Sequence, residues 1–213
     1  MQPETKTRIL DAAELLFAQH GLSDTSLRAI TDAAAVNLAA VNYHFGSKEA
    51  LIHAVFARRL KPVNERRLAM LDEALSAKPG KVQLRSILRA FVLPLLETAF
   101  LPPQENCQVQ LGALIIRLYT EPAQVVERSF NEQMASTAQR FVSALHQAVP
   151  HIENETLYWR MNFCVGSLVH TMHSSTILKV VSKGTINNPT AARALEQMLP
   201  FLEAGFTARN QPS

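Results

Sequence analysis

Glycine and cysteine are scarce in this chain. Seven glycines in 213 residues, none in a G-x-G or Walker arrangement, exclude a phosphate-cradling loop. Two cysteines, Cys107 and Cys164, are too few for a disulfide framework and lack metal spacing, which points to a reducing compartment. Aspartate is confined to Asp11, Asp24, Asp32 and Asp72. With no aspartate beyond residue 72 and no G-x-S-x-G, H-E-x-x-H or paired-cysteine pattern, little is left to build a catalytic site, and no enzyme is expected. No cofactor is implied. No apolar run is long enough to span a bilayer. The opening "MQPETKTRILDAAELLF" lacks the order of a signal peptide, so a cytoplasmic protein without a membrane partner is expected. Alternating strand patterns, repeats and low-complexity tracts are missing too.

What is present is an ordinary globular composition, 47% hydrophobic and 18% charged. Net charge is +3, with seven basic and six acidic residues in the first 61 and eight of each beyond residue 100. Bulk charge therefore does not announce a polyanion partner, and any nucleic-acid contact has to come from placement.

The periodicity is helical nearly throughout, giving an all-α fold. Ile9, Ala12, Ala13, Leu16 and Phe17 form one stripe ending at Gly21. Thr25 or Ser26 caps a second short helix ending near Ala34, and a third runs from about Leu38 to His44. Gly46 closes it, and Ser47 caps a fourth, long helix with a kink or break expected near Pro62. "AKPGK" (77–81) reads as a linker. Further helices are expected over 82–101, bent at Pro94, and over 105–120, 122–149, 153–182 and 189–209, with a loop at 182–189.

One stretch stands apart. "VNLAAVNYHFGSKEAL" (36–51) combines tiny residues with a dense polar and aromatic cluster. Two short helices joined by a tight turn suit a helix-turn-helix, whose second helix enters the major groove. Ala39 and Ala40 would let the backbone approach the bases and offer methyls to thymine. Asn42 would reach base edges or phosphate, and the polar tips of Tyr43 and His44 suit phosphate oxygens. Lys48, in the first turn of the fourth helix, strengthens an anion seat, and Ser26 and Arg28 are placed to do the same. Val36, Leu38, Val41 and Phe45 would face the core. The same pattern also fits a packing corner in a helical bundle.

The continuous run "TRILDAAELLFAQHGLSDTSLRAITDAAAVNLAAVNYHFGSKEALI" resembles the TetR family of bacterial transcription regulators. The resemblance implies a homodimer with a three-helix DNA-binding domain, residues 1–48, and a larger helical domain, 49–213, that binds an effector and dimerises. It implies a palindromic operator in double-stranded DNA, usually repressed, and released by a small molecule. It places Thr25, Ser26, Asn37, Ala39, Ala40, Asn42, Tyr43, His44 and Lys48 at DNA-contacting positions. Within the family, the "VNLAAVNYHFGSKEALI" form looks most like a branch that represses fatty-acid breakdown and senses acyl chains. The alternative is a regulator of efflux or stress genes sensing another hydrophobic or cationic compound.

The larger region offers fewer signals. Arg117, in the apolar run "LGALIIRLYT", reads either as an anchor for a carboxylate or acyl head group or as an ordinary snorkelling or salt-bridged side chain. Phe163, Ser167 and His170 share a helix stripe that fits a pocket wall or a dimer seam equally. His170 and His173 lack the further ligands that a metal requires. Leu195, Met198, Leu199 and Leu202 line one face of the last helix and, following the family, are assigned to the dimer interface.

Overall fold

The computed structural model describes residues 4–76, 83–100, 111–121, 132–173, 175–187 and 189–209. Its helices are α1 (Thr5–His20), α2 (Leu27–Ala34), α3 (Leu38–Phe45), α4 (Lys48–Ser76), α5 (Leu84–Ala99), α6 (Leu111–Thr120), α7 (Glu132–Ala148), α8 (Asn154–His173), α9 (Ser175–Val181) and α10 (Ala191–Thr207). No strand occurs among the described residues, so the all-α expectation holds. Among them no helix is long and apolar enough to cross a membrane. The 77–81 linker and the stretches 101–110 and 122–131 lie outside the described residues.

Local chemistry sets the boundaries. Ser26, Asn37, Ser47 and Thr190 each accept a hydrogen bond from the backbone N–H three residues on, satisfying a donor that the first helical turn leaves orphaned. Ser26 rather than Thr25 is the α2 cap. Gly46, at φ 78°, ends α3. The kink or break expected near Pro62 does not interrupt α4, which keeps its helical assignment across the proline. The helix expected over 153–182 is recorded as α8 and α9, on either side of Ser174.

Two compact units result: Met1–Pro62 with Pro102–Glu132, and Val63–Leu101 with Gln133–Ser213. The expected domains, 1–48 and 49–213, part at the start of α4. By compactness the division falls inside α4, and α6 joins the first unit. The first unit packs Ile9, Ala13 and Phe17 of α1 with Leu22, Ile30, Val41, Leu51 and Val55, all wholly buried. Arg58 of α4 bridges Asp11 (2.6 Å) and the buried Glu14 (2.5 Å) of α1. Burial opposes the guanidinium charge there, but the two carboxylates outweigh it and the Arg58 pKa is raised. In the second unit α10 packs along α5 and α8 through Leu195, Met198, Leu199, Leu202 and Phe206.

Candidate nucleic-acid interface

α3 has eight residues, and Val41 is its one fully buried side chain. The rest of the helix is left to present chemistry. Leu38, Ala39, Asn42 and Tyr43 form its exposed stripe, with Tyr43 85% exposed, while Ala40 and His44 are half-buried beside it. The Tyr43 and His44 rings meet edge to face at 5.1 Å, which restrains both. Asn37 accepts from Ala40 N (2.9 Å) with its carbonyl oxygen, so its amide N–H groups stay available as donors. Leu38 corrects the sequence expectation of a core residue. It is 50% exposed at the start of α3, because seating so short a helix takes little more than Val41. The helix thus carries an apolar contact that the pattern of alternating burial did not reveal.

The flanks hold the remaining predicted residues. Ser26 and Arg28 are exposed in and before the first turn of α2. Ser26 accepts from Ala29 N (3.1 Å) and keeps its hydroxyl hydrogen to donate. Thr25 is a correction. It is 3% exposed, and its hydroxyl donates to Gly21 O (2.7 Å), so its side chain braces the α1–α2 turn and is not presented at the surface. Lys48 Nζ donates to Ser23 O (2.9 Å), which pins the start of α4 to that turn and leaves two ammonium hydrogens.

The same turn is gripped by α6. Arg117 donates from Nε and Nη2 to Ala18 O (3.0 and 2.7 Å) and from Nη2 to Gln19 O (2.8 Å). A cation thus covers the carbonyl end of α1, where the helix dipole is negative. One helical turn on, the Glu121 carboxylate accepts from Leu22 N (2.5 Å), Ser23 N (3.2 Å) and the Ser23 hydroxyl (2.5 Å). Gly21 makes room: at φ 97°, a Cβ there would lie 2.9 Å from Glu121 Oε1. Arg117 therefore corrects the expectation of an effector anchor. Its Nε and Nη2 donors go to the end of α1, a role that in sequence reads only as an arginine in an apolar run.

In the second unit the predicted pocket residues lie on the outside and the predicted interface residues on the inside. Phe163 is 61% exposed, His170 is exposed and Ser167 half-buried, so this stripe lies on the outer face of α8 and does not wall a cavity within the protomer. Trp159, 56% exposed, stacks on Phe163 at 6.0 Å. Conversely Leu195, Met198, Leu199 and Leu202 are at most 7% exposed and form the protomer's own core. The strongest apolar stripe of α10 was claimed by α5 and α8, and its outward face carries Phe201 (66% exposed) and Gly205 instead.

Comparison with known proteins agrees with this architecture. Residues 9–55 match the model of bacterial regulatory proteins of the tetR family, and residues 89–205 match the tetracyclin repressor-like C-terminal domain. The HTH-type transcriptional regulator UidR of Escherichia coli is 38% identical over 71 residues, about a third of either chain. The HTH-type transcriptional regulator SrpR of Pseudomonas putida is 28% identical over 148 residues, 70% of this chain and 61% of that one. Among solved structures, the fatty acid degradation regulator FadR of Bacillus halodurans superposes with TM-score 0.62 at 12% identity, covering 98% of this chain and 100% of the other. NalD, the secondary repressor of the MexAB-OprM multidrug efflux pump of Pseudomonas aeruginosa, gives TM-score 0.60 at 21% identity over 94% and 96%. At these identities the two structures share a fold with this chain, and nothing about ligands follows.

Proposed function

The chain belongs to the TetR family of bacterial transcription regulators, DNA-binding proteins that dimerise and respond to small molecules, and we propose that it acts as a repressor of a palindromic operator. The observation that carries this reading is the exposed stripe of α3 flanked by Ser26 and Arg28. Leu38, Ala39 and Asn42 supply base contacts, and Ser26, Arg28, Tyr43, His44 and Lys48 supply phosphate contacts. Two copies pair through the outer faces of α8 and α10, using Trp159, Phe163 and Phe201. That pairing sets two recognition helices about 34–36 Å apart, one turn of the duplex.

An effector releases the DNA by preferring one of two conformations, which couples the two sites by about 1–3 kcal/mol. The double grip of Arg117 and Glu121 on the end of α1 supports α6 as the element that passes such a change to the reading head. The test is selection of bound DNA from genomic fragments, including the region upstream of the protein's own gene, followed by anisotropy titrations at several salt concentrations. A selected palindrome is expected, with affinity falling in log salt by about 0.9 per phosphate neutralised. Enrichment of no palindrome at modest salt would overturn the reading.

A further inference from the structure

A buried cation needs an anion, helix-end carbonyls or a ligand to offset the water it gives up. The second unit buries two arginines. Arg160 is provided for: it donates to Phe206 O (2.6 Å) and Ala208 O (2.6 Å), at the carbonyl end of α10. Arg67, on the second half of α4, is 9% exposed and is treated differently. Its Nε donates to Phe91 O (2.7 Å), its Nη1 reaches Asn64 Oδ1 at a long 3.3 Å, and its guanidinium carbon stands 4.3 Å from the Phe91 ring centroid. Pro94 lies inside α5 just beyond Phe91, where its missing N–H leaves the Ala90 carbonyl without its helical donor.

What is missing is a counter-charge. Among the described residues no carboxylate pairs with Arg67, and its Nη2 has no protein partner while remaining within reach of solvent. The titratable group acting on it is Cys164, which is wholly buried. Burial pushes that thiol up to about 12, so it is neutral at pH 7 and compensates nothing. Burial lowers Arg67 to about 10, which still leaves it charged at neutral pH. Asn64, one turn earlier and 8% exposed, lends Arg67 its carbonyl oxygen and so turns its amide N–H donors to other use. Retaining a largely buried charge without a counter-charge is costly, and an edge that solvent still reaches is open to a ligand that supplies one.

We propose that Arg67 and Asn64 form the head-group seat of the effector site, and that the effector is an organic carboxylate whose apolar body lies against Phe91. This rests on the effector-released repressor reading above. The planar Nη edge of a guanidinium matches the two oxygens of a carboxylate, and the stacked Phe91 ring holds that edge in place. Cationic compounds are rejected by the same charge.

Calorimetric titration of the full-length protein with straight-chain carboxylates from butyrate to laurate, each beside the alcohol of the same length, tests the proposal; benzoate and benzyl alcohol extend the series. The wild type is expected to prefer at least one carboxylate over its alcohol by about tenfold to a hundredfold, the worth of a charged buried hydrogen bond. Arg67→Met abolishes that preference. It also leaves the ligand-free melting temperature equal or higher, since an unmatched charge is replaced by an apolar chain of similar length. Carboxylates and alcohols binding the wild type alike, or a preference retained in Arg67→Met, would overturn the proposal; should that variant not fold, Arg67→Gln is judged by the same criterion. Operator release is followed in parallel. Carboxylate binding without release keeps the site and removes the effector-released reading, whereas release by cationic compounds alone does the reverse.

Discussion

The two compact units use their interior polar groups in opposite ways. In the first, besides the Arg58 bridge to Asp11 and Glu14, the polar grips gather on backbone at helix ends: Arg8 on Ala34 O and Ala35 O, Arg117 on Ala18 O and Gln19 O, Thr25 on Gly21 O, Glu121 on the N–H groups of Leu22 and Ser23. These contacts hold α1 against the turn before α2 and help fix α2 and α3, which at eight residues each lack the length to be stable alone. The second unit has long helices that hold themselves through apolar faces. It satisfies Arg160 on a helix end but leaves Arg67 without an anion, and it exposes Trp159, Phe163 and Phe201 to solvent. A first unit braced at its helix ends and a second with an arginine lacking an anion and with exposed aromatics is the arrangement that the proposed function asks of a switch, with ligand and second copy bound in one region and read out in another.

The largest effect should come from the exposed aromatic face. Phe163→Asp combined with Phe201→Asp places carboxylates where two copies are proposed to meet. Sedimentation should then show a monomer, and operator affinity should fall at least about a hundredfold, since one hot-spot aromatic is worth about 2 kcal/mol or more. Leu202→Asp, on the opposite face of α10, should instead unfold the second unit, because Leu202 is 3% exposed. A dimer surviving the double aspartate would break the distinction between an outer interface face and an inner core face.

An intermediate effect is expected in the reading head. Gly21 sits at φ 97° and ψ 165°, a region that only glycine enters cheaply, and Glu121 closes over it. Gly21→Ala should cost about 1–3 kcal/mol in urea unfolding. In a Glu121→Ala background the cost should shrink but persist, because the side-chain clash is removed and the backbone strain is not. Equal costs in both backgrounds would mean that Glu121 does not close on the turn.

How much of this was legible in the sequence follows from where the signal lives. Caps and periodicity are local, so α1, α2, α3 and the start of α4 fall where Ser26, Gly46 and Ser47 put them. The exposed group Asn37, Ala39, Asn42 and Tyr43 was legible for the same reason: so many polar and aromatic side chains on one short helix have no core to enter. Arg117 was not legible, because an arginine in an apolar run looks alike whether it awaits a ligand or caps a helix packed across from it, and only the position of Ala18 and Gln19 decides. Arg67 was hidden among the charges of a long helix, with no apolar run to draw attention to it. The last helix misled through its own clarity. Leu195, Met198, Leu199 and Leu202 form the cleanest apolar stripe, and a protomer takes its cleanest stripe for its own core, leaving the more mixed face of Phe201 and Gly205 exposed.

The smallest effect separates the two kinds of contact within the reading head itself. Leu38 is apolar and exposed at the N-terminal end of α3, where recognition helices meet base edges, and the complement of such a side chain in the major groove is a thymine methyl. Leu38→Ala should cost about 1 kcal/mol, confined to one A·T position of the selected operator, with no change in salt slope. Arg28→Ala should weaken binding to all sequences alike and lower the salt slope by about 1 per half-site, as the loss of a phosphate contact does. Measuring both variants against operators altered one base pair at a time, at two salt concentrations, assigns each residue by the shape of its loss. Were Leu38→Ala to act uniformly and Arg28→Ala to act at a single base pair, the division of the surface into a base-reading stripe on α3 and a phosphate-holding flank on α2 would have to be reversed.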